Sequence, residues 1–286
     1  MRAARTTPTS GESTAWGIRR RLFNGLERVG LARPALRTYE LALAAKSALR
    51  GGRVDLGGVP LPPARLRVRV SPQAADAEYF LSSGREHAEL IRSILREGGT
   101  TIEALGAILD WGCGCGRILR HWIELPPETR VCGCDINPKA VDWCRNHLDF
   151  AEVAVNELEP PLPYPQQSFD LVYALSVFTH LGEELQQAWM RECRRVLKPE
   201  GYLLFSTMGE YYANLERLTD SEREAFQNGH LVVLYERSVG TNVCSVYHPR
   251  EYVDGTLAAG FEPVLFRPAS FGRQDVYLFR KTAVLE

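Results

Sequence analysis

Three glycines stand at alternate positions, Gly112, Gly114 and Gly116, just after an acid, Asp110, that follows the apolar run Ala107, Ile108 and Leu109. An apolar run, a tight glycine turn and a following helical pattern from Arg117 read as strand, loop and helix. Glycines allow positive φ and let a ligand approach the backbone without meeting a Cβ. The freed N–H groups and a helix N-terminus favour a negatively charged ligand group. A second strand-like run, Arg130 to Asn137, carries another acid, Asp135, 19 residues after Gly116. An acid at the end of such a strand can accept both hydroxyls of a ribose. Together these residues point to binding of a nucleoside-containing cofactor.

The glycine spacing G-x-G-x-G departs from the dinucleotide pattern G-x-G-x-x-G, and the ordered set of motifs resembles the class I S-adenosylmethionine-dependent methyltransferases. The resemblance runs over roughly residues 75 to 281. It implies that Asp110, Gly112, Cys113, Gly114 and Gly116 hold the methionine part of S-adenosylmethionine, and that Asp135 and Ile136 hold the ribose side. Asn156, Glu157 and Leu158 stand where the family contacts adenine. Ala174 lies at the end of a run, Ser168 to Leu181, that resembles the family's fourth strand and the loop beyond. Val196 to Ser206 resembles its fifth strand. Arg85, in Phe80 to Arg85, is a candidate partner for the methionine carboxylate, or else an ordinary surface arginine. The implied cofactor is S-adenosyl-L-methionine, with S-adenosyl-L-homocysteine as product.

Methyl transfer from a sulfonium is an in-line displacement, so the protein must mainly align nucleophile, methyl carbon and sulfur. A hydroxyl acceptor also needs a base. His180 is the leading candidate, because it follows the fourth strand and titrates near neutrality; the competing reading is a histidine that caps the next helix or bonds to backbone. Tyr211, Tyr212, His230 and His248, with Glu210, are further candidates for acceptor binding. The segment Ala174-Leu175-Ser176-Val177 replaces the Asn/Asp-Pro-Pro-Tyr type motif of amino-methyltransferases that act on nucleobases or glutamine. With no basic run in the body of the chain, this argues against a nucleic-acid acceptor.

These residues need a scaffold of strands alternating with helices. The pattern predicts strands near 107–111, 130–135, 152–155, 169–174 and 201–207, with helices at 116–124, 138–148 and 183–197 between them. Strands at 261–267 and 274–280 follow. The expected fold is an α/β, Rossmann-like three-layer sandwich whose seven-stranded, mostly parallel sheet has an antiparallel last strand. Four prolines between 160 and 165 exclude a helix between the third and fourth strands. A helix is expected over 76–97, with a break near Ser82-Ser83-Gly84. Residues 73–286 then form the methyltransferase domain, with 209–248 as a lid and acceptor-binding insertion after the fifth strand. Residues 1–72 form an N-terminal extension: a polar stretch, a basic amphipathic helix from Trp16 to Val29, a second helix from Pro34 to about Leu49, and an extended connector over 53–72.

Residues 1–53 carry a net charge of +8 and the remainder −9, within a chain of net charge −1. The basic segment could contact a membrane surface or an acidic partner through residues 15–53, or pack on its own domain. No apolar stretch approaches the ~18 residues that span a bilayer. The N-terminus lacks the apolar centre of a secretory signal, so the expected location is the cytoplasm. Cys113, Cys115, Cys132 and Cys134 form two C-x-C pairs at adjacent strand ends. Zinc ligands usually stand two to four residues apart, so no metal site is expected and the seven cysteines read as reduced, mostly buried thiols.

The resulting expectation is O-methylation of a small molecule or glycoconjugate. Two alternatives are a protein or RNA N-methyltransferase recruited through the basic arm, and a non-catalytic module that binds S-adenosylmethionine.

Overall fold

The computed structural model describes residues 22, 24–49 and 58–282. The expected polar stretch and half of the basic helix, residues 16–21 and 23, lie outside those residues. Seven strands form one sheet in the order β3-β2-β1-β4-β5-β9-β8. They are β1 Ala107–Trp111, β2 Arg130–Asp135, β3 Ala151–Val155, β4 Phe169–Ala174, β5 Leu197–Thr207, β8 Phe261–Phe271 and β9 Gln274–Lys281. The first five are parallel, while β9 runs antiparallel to both β5 and β8. This is the Rossmann-like sheet that the sequence predicts.

The central strands read as unbroken apolar runs because both faces are covered. All five residues of β1 are buried. Ile108 faces a cluster with Ile91, Leu95 and Leu119, whereas Leu109 faces Trp189, Phe205 and Met190 on the other side. The helices that cover the sheet are α3 Ala77–Glu97, α4 Pro138–His147 and α5 Glu183–Val196. The chain leaves β1 toward β2 on one side, whereas β4 lies on the other. A crevice therefore opens at the carboxyl ends of β1 and β4, the switch point where such sheets bind ligands.

Three local expectations need correction. The helix expected at 116–124 is a series of turns with a single 3-10 turn at Leu119–Trp122. The segment presses against α3: a Cβ at Gly84 would stand 2.3 Å from the Arg117 carbonyl oxygen. Gly84 serves this close backbone approach, and α3 runs through it without the expected break. The connector over 53–72 contains a helix, α2 Ala64–Val70, followed by a 3-10 turn at Pro72–Ala75. Its prolines flank the helix rather than interrupt it, Pro63 standing at the cap. Buried Arg67 ties the unit together by donating to the carbonyls of Pro62, Ala74 and Ala75. The insertion after β5 carries a helix, α6 Asp220–Gln227, closed at its start by a Thr219–Glu222 capping box.

Before α2 runs α1, Ala32–Leu49. The insertion also forms a two-stranded antiparallel sheet, β6 Val232–Leu234 with β7 Ser245–Tyr247. It has its own small apolar cluster around Met208, Leu218, Val232 and Tyr247. No helix among the described residues is long and apolar enough to cross a membrane.

Candidate active site

The crevice is a cavity of about 580 Å³. Its floor is the turn after β1. Gly112, Gly114 and Gly116 all have positive φ, at 83°, 55° and 76°, where an L side chain is strained. The N–H groups of Gly112 and Cys113 both donate to the Cys134 carbonyl, at 2.8 and 3.0 Å, which ties the turn to β2. A Cβ at Gly112 would meet Val177 Cγ2 at 2.5 Å, so the turn and the loop after β4 close on each other there.

Asp135 ends β2, and its carboxylate accepts the Gly114 N–H at Oδ2 and the Asn137 N–H at Oδ1, both at 2.8 Å. Burial pushes its pKa up, opposed by these two N–H groups. Each oxygen keeps a lone pair for a further donor. Asp110 is buried beneath the turn, its carboxyl pushed up to about 7 by desolvation. It accepts from the Tyr173 hydroxyl, which in turn accepts from Trp122 Nε1 at 2.7 Å.

Beyond β2, Ile136 is 46% exposed and lies on the cavity wall, an apolar surface of the kind that a flat base can cover. Asn156 is buried nearby; its Nδ2 donates to the Glu157 carbonyl, but its Oδ1 has no partner among the described residues. A buried acceptor left unpaired costs free energy unless a ligand donor reaches it. Leu158 is held by Trp189 Nε1, which donates to its carbonyl at 3.0 Å.

His180 lies in a 3-10 turn after β4 and lines the cavity. Its Nδ1 is 2.7 Å from the Cys244 carbonyl oxygen. A carbonyl only accepts, so Nδ1 carries the proton and the neutral ring presents an unprotonated Nε2. Burial lowers the His180 pKa below its ordinary value, which favours that neutral form. The Gly240 N–H donates to the His180 carbonyl at 2.8 Å.

Most of the residues expected to hold cofactor line one cavity: Asp110, Gly112, Cys113, Gly114, Asp135, Ile136, Asn156, Glu157 and Leu158. Gly116 packs behind the turn, where a Cβ would meet Leu148 at 2.7 Å. Ala174 is buried inside β4; the cavity is lined instead by the next residues, Leu175, Ser176 and Val177.

Arg85 is exposed on α3 and does not line the cavity. Arg117 lines it instead. Its Nη1 donates to Ser83 Oγ at 3.3 Å and to His87 Nδ1 at 2.6 Å, while its Nε has no partner among the described residues. Burial and the Arg117 charge push the His87 pKa down to about 3, so that ring is a neutral acceptor. The only sequence sign of this role is that Arg117 follows Gly116 directly, a position read as the start of a helix.

Tyr211, Tyr212, His230 and His248 do not line the cavity. Tyr211 bonds Arg273, and Tyr212 donates to the Gly272 carbonyl. His230 is exposed, whereas His248 is fully buried with Nε2 against Gln186. Tyr211 and Tyr212 tie the insertion to the turn between β8 and β9, Gly240 and Cys244 tie it to His180, and of its described residues only Gly240, Thr241 and Asn242 line the cavity. The N-terminal extension covers the crevice more closely than the insertion does. Arg33, Arg37 and Glu40 of α1, with Leu66, Arg69 and Val70 of α2, all line it.

Ser176 is a further residue that the sequence did not reveal. Its φ of 62° is unusual for serine. A closed polar ring holds it: Ser176 N–H donates to Ser206 Oγ, Ser206 Oγ to Gln274 Oε1, and Gln274 Nε2 to Ser176 Oγ, at 2.7–3.0 Å. Strain held by a network at a cavity wall is characteristic of functional loops.

The C-x-C pairs are separated by the sheet, Cys113 and Cys115 packing in one core cluster and Cys132 and Cys134 in the other. Among the described residues no group of three or more metal-ligating side chains converges.

Residues 109–205 match the family model described as a methyltransferase domain. The chain is 35% identical over 146 residues to a malonyl-[acyl-carrier protein] O-methyltransferase of Hahella chejuensis, covering 50% of each chain. It is 30% identical over 173 residues to a ubiquinone biosynthesis O-methyltransferase of Cereibacter sphaeroides, covering 57% of this chain and 65% of that one. It is 27% identical over 114 residues to a tRNA N(3)-methylcytidine methyltransferase of Drosophila melanogaster, covering 37% of this chain and 35% of that one. The chain thus spans between 35% and 65% of the length of these three relatives. The matched segment runs from β1 through most of β5 and contains the glycine turn, Asp135 and His180, and on that segment the chain carries a methyltransferase domain.

Proposed function

We propose that this protein transfers a methyl group from S-adenosylmethionine to a hydroxyl of a small molecule or glycoconjugate, with His180 as general base. The cofactor supplies an electrophilic methyl on a good leaving group. The chain's residues fit it: Asp135 with spare lone pairs for a diol, an unpaired Asn156 Oδ1 and an apolar Ile136 for a base, and Asp110 with Arg117 for an amino acid end. The observation that carries the acceptor reading is the Nδ1 contact of His180 to the Cys244 carbonyl. It fixes the tautomer, so that Nε2 can take a hydroxyl proton as the oxygen attacks. Apolar Leu175 and Leu181 line the same cavity as His180.

The names of the relatives include acyl-carrier-protein, quinone-pathway and tRNA methyltransferases, so the domain match alone does not choose the acceptor. Two of the three cited relatives are O-methyltransferases, which supports oxygen as the accepting atom. The reading is tested by incubating the full chain with methyl-labelled S-adenosylmethionine and matched phenolic, saccharide and amine acceptors. Label on the hydroxyl compounds supports it. Label on amines alone contradicts it.

A further inference from the structure

Arg117 and Glu40 apart, the acids and the arginines that line the cavity stand on different elements. Asp110, Asp135 and Glu157 stand at or just beyond the ends of β1, β2 and β3, on the side assigned above to cofactor. Arg33 and Arg37 stand on α1 across the mouth, with Glu40 as the one acid on that helix that lines the cavity. Glu40 is 3% exposed, and one of its oxygens, Oε2, serves both Arg37 at 3.4 Å and Arg69 at 3.3 Å. Arg69 also feels the Asp135 charge. One carboxylate therefore compensates two guanidiniums at long range, and each of those arginines keeps about two-fifths of its side chain exposed.

Arg33 has no carboxylate partner among the described residues. Its Nη2 donates to the carbonyls of Arg237 and Val239, at 3.1 and 3.3 Å. The residue after Val239 is Gly240, whose N–H holds the His180 carbonyl. Two consecutive residues thus connect Arg33 to the candidate base, which fixes this surplus positive charge on the acceptor side. A second cross-link, Asn242 Nδ2 to the Arg69 carbonyl at 2.8 Å, keeps the mouth in register. Guanidinium forks with donors to spare, beside apolar Leu36 and Val177, suit a group with several oxygens and a negative charge.

We propose that the methyl acceptor carries an oxyanion, a phosphate, sulfate or carboxylate, that docks on Arg33 and Arg37 with Arg69 behind them while its hydroxyl reaches His180. This inference rests on the methyltransferase reading above. The test is calorimetric titration of inorganic pyrophosphate into the full chain saturated with S-adenosylhomocysteine, at low ionic strength. The expected result is one binding event, weakened about tenfold or more in an Arg33→Gln/Arg37→Gln variant, in line with loss of charge-assisted hydrogen bonds. S-adenosylhomocysteine affinity should stay within about twofold, which also shows that the variant is folded. Arg65→Gln, on the exposed side of α2, should leave pyrophosphate binding unchanged. An Arg33→Lys/Arg37→Lys variant should recover part of the loss, because charge remains while the fork does not. No pyrophosphate binding, or equal binding in the double glutamine variant, overturns the proposal. S-adenosylhomocysteine binding without pyrophosphate binding overturns this proposal alone, whereas failure of S-adenosylhomocysteine to bind the parent chain overturns the cofactor reading as well.

Discussion

The Gly114 N–H and the Asp135 carboxylate, 21 residues apart, meet at 2.8 Å, so the glycine turn after β1 and the acid at the end of β2 form one unit. That contact orients Oδ2, and the Asn137 N–H orients Oδ1. Asp135→Ala removes a ligand contact and two backbone tethers together. It should weaken S-adenosylhomocysteine binding by about 1.5–3 kcal/mol, the range for hydrogen bonds to a charged group. Calorimetry on folded variant protein that showed unchanged affinity would take Asp135 out of the site.

Arg117 and Arg85 offer a comparison within one experiment. Arg85 follows Gly84, on which the Arg117 backbone packs, but Arg117 lines the crevice and Arg85 is exposed. Arg117→Ala should lower S-adenosylhomocysteine affinity about tenfold or more, with Arg85→Ala within about twofold of the parent. The reverse ranking by equilibrium binding would return the carboxylate to α3.

The strands and the two acids were legible from sequence for a physical reason. Buried parallel strands appear as short apolar runs, and Asp110 and Asp135 stand where those runs stop. The segment after the glycine turn was misread because its apolar spacing, Ile118, Leu119 and Trp122, fits a helix as well as it fits a set of turns wedged under Gly84. Arg117 was hidden by the same misreading. The acceptor side was least legible. Tyr211, Tyr212, His230 and His248 have suitable chemistry, but their positions depend on how the insertion packs, which no local period encodes. The placement of α1 over the mouth is equally non-local: Arg33 meets Val239 across 206 residues.

If Asp110 faces the cofactor's cationic group, as proposed, cofactor binding should depend on pH. Burial raises its pKa to about 7 in the unliganded protein. A cationic ligand group beside it favours the ionised form and lowers that pKa in the complex. Affinity for S-adenosylmethionine should therefore fall by up to about tenfold per unit as pH drops below 7, and be flat above about pH 8. The sign reverses for stability: the folded state binds the extra proton, so the unliganded fold gains stability as pH falls from 7 toward 4. Titrations at pH 5.5, 6.5, 7.5 and 8.5 check this, and an Asp110→Asn variant should lose the slope. A pH-independent affinity in the parent would contradict the assignment.

His180→Ala should lower methyl transfer to a hydroxyl acceptor by about 10²–10⁴-fold with S-adenosylhomocysteine affinity nearly intact. Because burial lowers the His180 pKa, the acid limb of the rate profile should lie below pH 6.5, the ordinary histidine value. His180→Gln keeps a polar group but has no base, and should be as slow as alanine. Less than about tenfold loss on folded variant protein would leave His180 as a support for Cys244 and Gly240.

The most direct test of the whole account is a crystal structure of the full chain with S-adenosylhomocysteine bound. The account predicts ribose hydroxyls on Asp135, the base against Ile136 with a donor on Asn156 Oδ1, the amino acid end between Asp110 and Arg117, and the sulfur turned toward Ser176 and His180. A ligand whose ribose lies away from Asp135, or whose sulfur faces away from His180, would contradict it.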